Sequence, residues 1–241
     1  ALQAAAREVK EEVAIDVAYE QLTLKDCQRT VEFEIFSHLR HRYAPGIERN
    51  TESWFCLALP HEREIVFTDE IENQGFEDQP LCFLYHCNAG YPFLVPGLRV
   101  VMPSIFCGPR DADAKAGEAA WNVMEGPEEH APEQVFQHEL AADHNGNTFA
   151  AFVNDELQIG LCIRFEKSVI PYLTQWKSLA AGDFAMALEP TNCGFDGRAG
   201  ATEILKPFEK HVNRIRFQIL DGEDEIELLE HECREVLECT M

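Results

Sequence analysis

Two groups of side chains in this sequence have the types and spacing to do chemistry. The first is Arg7-Glu8-Val9-Lys10-Glu11-Glu12. On a helix, Glu8 and Glu12 are four apart and Glu8 and Glu11 three apart, so the three carboxylates share a face. Like charges so placed repel unless a cation sits among them. A hard divalent ion such as Mg²⁺ takes clustered carboxylate oxygens and keeps water on its open side. That chemistry suits a phosphorylated substrate. A solvated acidic helix face has the same spacing, and both readings stand on these residues alone.

The members of the second group lie far apart in the chain. Tyr85-His86-Cys87-Asn88-Ala89-Gly90-Tyr91-Pro92 puts a His at the end of an apolar run, and Ala187-Leu188-Glu189-Pro190-Thr191-Asn192-Cys193 puts a Glu at the end of another. A carboxyl group that follows Phe-Ala-Met-Ala-Leu is partly desolvated, which raises its pKa toward the value a general base needs. A His and a Glu across one sheet face can move protons on and off a sugar oxygen. Taken singly, each also fits a hydrogen-bonded core His or a strand-end acid.

The elements that must position these residues are mostly strands. Residues 1–16 read as a helix, with Ala4, Ala5 and Ala6 followed by alternating charges. VEFEIF (31–36) alternates with period two, SWFCLAL (53–59) is a second strand, and Pro45-Gly46 marks a turn between them. LCFLYHC (81–87) reads as a buried strand. It is followed by LRVVMPSIF, EQVFQHEL, NTFAAFVN, QIGLCIRF, DFAMALEP and RIRFQIL, separated by Gly-, Pro- and Asp-rich punctuation. Many short strands with regular turn signals predict an all-β sandwich or barrel. His144-Asn145-Gly146-Asn147 reads as a hairpin turn. The last residues, 223–241, form an acidic amphipathic stretch, either a terminal helix or a frayed tail.

Composition sets the outer limits. The chain has 241 residues, 46% of them apolar, enough for a sizeable core. It carries 20 Lys+Arg against 43 Asp+Glu, a formal charge of −23. That argues against nucleic-acid partners and against docking on anionic membranes, since nothing offsets phosphate repulsion. No apolar run approaches a membrane span, and the charged start is no signal peptide. The nine cysteines show no Cys-x-x-Cys pair, so reduced, mostly buried thiols in a cytoplasmic protein are expected. The start inside a helix, without an initiator Met, reads as that of a fragment.

Two resemblances sharpen these readings. Arg7–Val13 resembles the second half of the Nudix box, and the text from Leu22 to Thr68 resembles the Nudix hydrolases that cleave dihydroneopterin triphosphate. This implies Mg²⁺ on Glu11 and Glu12, Glu8 as a further ligand or base, and Arg7 as an orienting group. The box's opening Gly and first Glu would precede residue 1, and its late Gly position is Ala14. The resemblance therefore implies an α+β remnant with half a site.

Residues from about 69 to 222 resemble the aldose 1-epimerase, or galactose-mutarotase-like, family. The strings NQGFEDQPLCFLYHCNAGYPFL, EQVFQHELAADHNGNTFAAFVN, IPYLTQWKSLAAGDFAMALEPTNC and GRAGATEILKPFE carry the match. It implies a mainly β fold, a partial β-supersandwich, and interconversion of sugar anomers at C1 without a cofactor. By this resemblance His86 is the general acid at the ring oxygen and Glu189 the base at the C1 hydroxyl. Asn88, His138, Gln175, Trp176, Lys177 and Arg198 are expected near the sugar. The organisation that follows is a Nudix-like segment over 1–68, an epimerase-like sandwich over 69–222 and an acidic tail over 223–241. The expected partners are a small-molecule sugar and, through exposed strand edges, a second copy. Two other functions compete: a Mg²⁺-dependent pyrophosphohydrolase acting on dihydroneopterin triphosphate or nucleoside triphosphates, and an inactive fusion of two incomplete domains.

Overall fold

The computed structural model describes residues 2–13, 16–19, 21–34, 49–58, 64–200 and 203–239. The turn expected at Pro45-Gly46, the position of Ala14 and the side chains of Glu12 and Arg198 lie outside the described residues. The chain divides into two compact units, Ala1–Arg63 and Glu64–Met241.

The first unit holds helix α1 (Leu2–Val13) and two strands, β1 (Thr23–Glu34) and β2 (Arg49–Ala58). The strands pair antiparallel from Thr23↔Ala58 to Glu34↔Arg49, with an irregularity between Asp26 and Arg29. An isolated pair of strands buries little, and most described side chains of β1 are exposed.

The second unit is a sandwich. Its strands are β3 (Glu64–Glu72), β4 (Gln79–Pro80), β5 (Cys87–Ala89), β6 (Arg99–Val101), β7 (Ser104–Pro109), β8 (Gln134–Leu140), β9 (Asn147–Asn154) and β10 (Ile159–Glu166), followed by β11 (Tyr172–Ser178), β12 (Ala185–Thr191), β13 (Ile204–Leu205) and β14 (Lys210–Asp221). Helix α2 (Ala112–Gly117) follows β7, and α3 (Glu223–Glu238) ends the unit. One sheet runs β3-β14-β10-β9-β6, the other β5-β12-β11-β8-β7, and all their pairings are antiparallel. The join expected near Thr68 falls inside β3, which pairs without a break along β14 from Glu64 to Glu72.

The core lies between these sheets. Ala150, Phe152, Ile163, Phe165 and Ile215 from one meet Leu140, Leu173, Met186 and Leu188 from the other, all nearly or fully buried. A smaller core forms on the outer face of the first sheet. There Phe149, Ala151, Cys162 and Leu220 receive Ile226, Leu229 and Cys233 of α3. The acidic stretch is thus a packed helix. Its buried residues recur every three or four positions, and Glu223, Asp224 and Glu225 sit in the first turn, where the helix dipole favours negative charge. Ion pairs fasten it: Arg164 to Glu232 at 2.6 Å and Arg99 to Glu230 at 2.7 Å.

Three local readings change. The 81–87 run is not a regular buried strand; after the buried Leu81 it alternates between exposed and half-buried positions and enters the ladder fully only at Cys87. The turn at 143–147 is not a hairpin, because β8 and β9 belong to different sheets. It is an Asx-type corner: Asp143 Oδ1 accepts the N–H groups of Asn145 and Asn147, both at 2.8 Å, and Gly146 takes φ +84°. Finally, Cys82 and Cys193 are joined in a disulfide, and of the seven other cysteines only Cys162 and Cys233 are buried. Among the described residues, no helix is long and apolar enough to cross a membrane.

Candidate active site

The two chemical residues meet. Register along the β5–β12 edge pairs Ala187 with Asn88 and Leu188 with Cys87, and a bridge pairs Leu84 with Thr191. The rung between places His86 opposite Glu189. Their side chains close this rung, with His86 Nε2 2.9 Å from Glu189 Oε1. The two are unequally placed, His86 being half exposed and the Glu189 side chain only 6% exposed. Burial pushes the Glu189 carboxyl above its usual range, and the neighbouring His86 pulls it back in part.

The same register sorts the other expected site residues by face, since successive side chains on a strand point to opposite sides. Glu189 pairs with Thr174, Ala187 with Trp176, and Thr174 with Gln137, so these residues share the outer face with His86 and Asn88. Trp176 stands beside the pair, its ring centroid 6.2 Å from that of His86. Its indole N–H donates to Glu133 Oε2 at 2.9 Å, and Arg110 donates to the other oxygen of Glu133 at 2.9 Å. Glu133, Thr174 and Gln137 were not expected from sequence. Stepping by two from Trp176 would have found Thr174, but nothing local signals Glu133.

His138, Gln175 and Lys177 point the other way. All three are fully buried on the face that carries Leu173, Met186 and Leu188. Gln175 Nε2 donates to Trp121 O at 2.7 Å, which leaves its Oε1 to accept from His138 Nε2 at 3.1 Å. His138 Nδ1 lies 2.9 Å from Ser104 Oγ, and the Trp121 ring packs on the imidazole with centroids 4.7 Å apart. Lys177 Nζ donates to Ala120 O, Val123 O and Glu125 Oε2 at 2.8–3.0 Å. These groups have internal partners and support the sheet from behind. They do not share the outer face with His86 and Glu189.

Burial lowers the His138 pKa to about 4 from its ordinary 6.5. The unfolded chain therefore takes up this proton first as the medium acidifies. Its contribution to stability is complete above pH 6.5 and is lost as pH falls toward 4, by about 3 kcal/mol. A His138→Gln protein is expected to show this loss no longer. Urea unfolding at pH 7 and at pH 4 checks it: the gap in stability between parent and variant should narrow by about that amount. A constant gap would show that the imidazole is not what titrates.

On α1, Arg7 contacts Glu8 at 2.8 Å and Glu11 at 3.6 Å. The cation between these carboxylates is thus the chain's own. Among the described residues, no three His, Cys, Asp or Glu side chains are grouped to hold a metal ion.

The second unit is thus a two-sheet antiparallel sandwich with a His–Glu rung on one outer face. A candidate aldose 1-epimerase from Klebsiella pneumoniae has the same fold, with a TM-score of 0.69 at 21% identity, covering 86% of this chain and 54% of that one. A family model described as a domain of unknown function, DUF4432, matches residues 51–219, and the chain belongs to that family. The N-terminal part has a separate likeness. Over 69 residues, 29% of this chain, it is 84% identical to the dihydroneopterin triphosphate diphosphatase of Escherichia coli K12, of which it covers 46%. The Haemophilus influenzae protein of the same name is 38% identical over 68 residues, 28% of this chain and 43% of that protein. The chain thus spans about half the length of the relatives it matches.

Proposed function

We propose that the chain binds a small aldose and interconverts its anomers by acid–base catalysis at C1. The observation that supports this most is the His86–Glu189 rung, in which a half-exposed imidazole and a buried carboxylate lie 2.9 Å apart. The anomeric hydroxyl and the ring oxygen are both bonded to C1, so one sugar can engage both groups. Glu189 takes the C1 hydroxyl proton as the C1 carbonyl forms and the C1–O5 bond breaks. His86 in its protonated form delivers a proton to O5. Rotation about C1–C2 and the reverse transfers close the other anomer.

Asn88 and Trp176 share this face and supply an amide and an aromatic platform for the polyol. His138, Gln175 and Lys177 hold the strand behind it. The step needs only proton transfers, which the two side chains carry, so no cofactor enters the proposal. The test is polarimetry on freshly dissolved α-anomers of several aldoses. The expected result is a rate of approach to equilibrium that rises in proportion to protein concentration for at least one sugar. No acceleration across the panel overturns the reading.

A further inference from the structure

The ladder that aligns His86 with Glu189 continues beyond that rung. Tyr85 N–H donates to Pro190 O at 3.0 Å, and Leu84 bridges Thr191. Two residues further out, the same register brings Cys82 opposite Cys193. The two are joined in a disulfide, with Cα atoms 6.0 Å apart and 111 residues apart in sequence. We propose that this disulfide is a reversible redox clamp on the ladder that carries the acid–base pair.

Three observations support it. First, the strand it holds is weak by itself. Only three residues, Cys87–Ala89, form a regular ladder, and they pair on one side alone. The register of 81–86 therefore depends on anchors at its outer end. Those anchors gather at the disulfide: Asn192 accepts from Phe83 N–H at 2.9 Å and donates to Leu81 O at 3.0 Å. Second, the same anchor begins the segment that carries Arg198. That segment returns at Leu205, whose backbone pairs with Gln79. Residues 79–83 thus grip both ends of it, and the disulfide is the covalent half of the grip. Third, the two sulfurs differ in access, since Cys82 is exposed and Cys193 is buried. An external thiolate reaches Cys82 first. Cys87, on the same strand, does not compete, because burial pushes its thiol up to about 11.

The reaction is exchange with a dithiol. Its thiolate attacks Cys82 Sγ, the Cys82–Cys193 bond breaks, and Cys193 leaves as a thiolate that takes up a proton. The second thiol of the reagent then attacks the mixed disulfide, and Cys82 leaves and is protonated. Two electrons pass to the protein, and the dithiol becomes a disulfide. Glutathione disulfide runs the exchange in reverse.

The test uses the full chain, equilibrated with glutathione disulfide or with dithiothreitol. Alkylation under denaturing conditions, read by mass spectrometry, should spare Cys82 and Cys193 in the first sample and label both in the second. Reduction should lower Tm by about 5–10 °C. It should also speed amide exchange over residues 81–89 by about tenfold or more and leave 147–166 in the other sheet unchanged. Cys82→Ser should behave as the reduced parent and ignore dithiothreitol, whereas Cys239→Ser should respond as the parent does. Labelling of both cysteines without reductant, or equal exchange over 81–89 in the two forms, overturns the clamp.

The catalytic consequence rests on the proposed epimerase reading, and polarimetry separates the two. Mutarotation that falls about tenfold on reduction supports the link between clamp and site. Equal rates with unequal exchange overturn that link. Unequal exchange with no mutarotation in either form sinks the epimerase reading and leaves the clamp standing.

Discussion

Replacing Glu189 by Gln is expected to reduce catalysed mutarotation by about 10²–10⁴-fold, the range over which a positioned base contributes. The amide keeps the shape of the side chain and can still accept from His86 Nε2, so the 2.9 Å contact can survive. What it lacks is a basic oxygen for the C1 hydroxyl proton. The fold should persist, because the buried carboxylate is costly to desolvate and the amide relieves that cost. Polarimetry and urea unfolding on the same preparation separate the two effects. A variant within twofold of the parent rate would mean that Glu189 is not the base.

The pH profile gives a second reading of the same group. Burial holds the Glu189 carboxyl above the ordinary carboxylate range. The acid limb of the rate should therefore lie at higher pH than a free carboxylate would give. The stability consequence has the opposite sign to that of His138. Between the ordinary and the raised value the folded chain holds a proton that the unfolded chain has released, so stability falls as pH rises through that window. Glu189→Gln should remove that slope together with the catalysis.

The strands were legible because each apolar run is bounded by turn residues; NTFAAFVN corresponds to β9 over its whole length. That His86 and Glu189 stand at the ends of such runs was legible from the sequence. Their meeting was implied only by the family resemblance, since it depends on a ladder between segments about a hundred residues apart, which no local pattern encodes. The bond between Cys82 and Cys193 was hidden for the same reason. The placement of Gln175 and Lys177 beside Trp176 was a different matter. Adjacent residues on a strand cannot share a face, and period two alone would have parted them. The helix at 223–238 shows how tertiary context decides a marginal case. Its acidic surface fits a frayed tail, and the spacing of Ile226, Leu229, Cys233 and Val236 packs it instead.

Lys177→Met is expected to destabilise the sandwich by about 3–5 kcal/mol, the cost of removing one partner from a buried polar cluster. Methionine preserves much of the volume, so the loss isolates the polar contacts. Nζ serves Ala120 O, Val123 O and Glu125 Oε2, and the side chain is fully buried. Without it, Val123 O loses its donor and Ala120 O keeps only the Val123 N–H at 3.2 Å. Glu125→Gln provides the contrast. Glu125 is half exposed, so the Gln amide oxygen and water can serve Nζ in place of the carboxylate, and the loss should be smaller than that for Lys177→Met. A large loss for Lys177→Met beside a small one for Glu125→Gln would show that the carbonyls, rather than the ion pair, hold the lysine. The 120–125 segment has a further duty, because its Trp121 ring packs on His138 and its Trp121 carbonyl takes the Gln175 amide. Lys177 and Gln175 thus pin one loop against the back of the strand whose front carries Trp176. Urea unfolding of the two variants decides the matter. Equal midpoints for parent and Lys177→Met would mean that the loop holds itself and that the lysine is a passenger in the core.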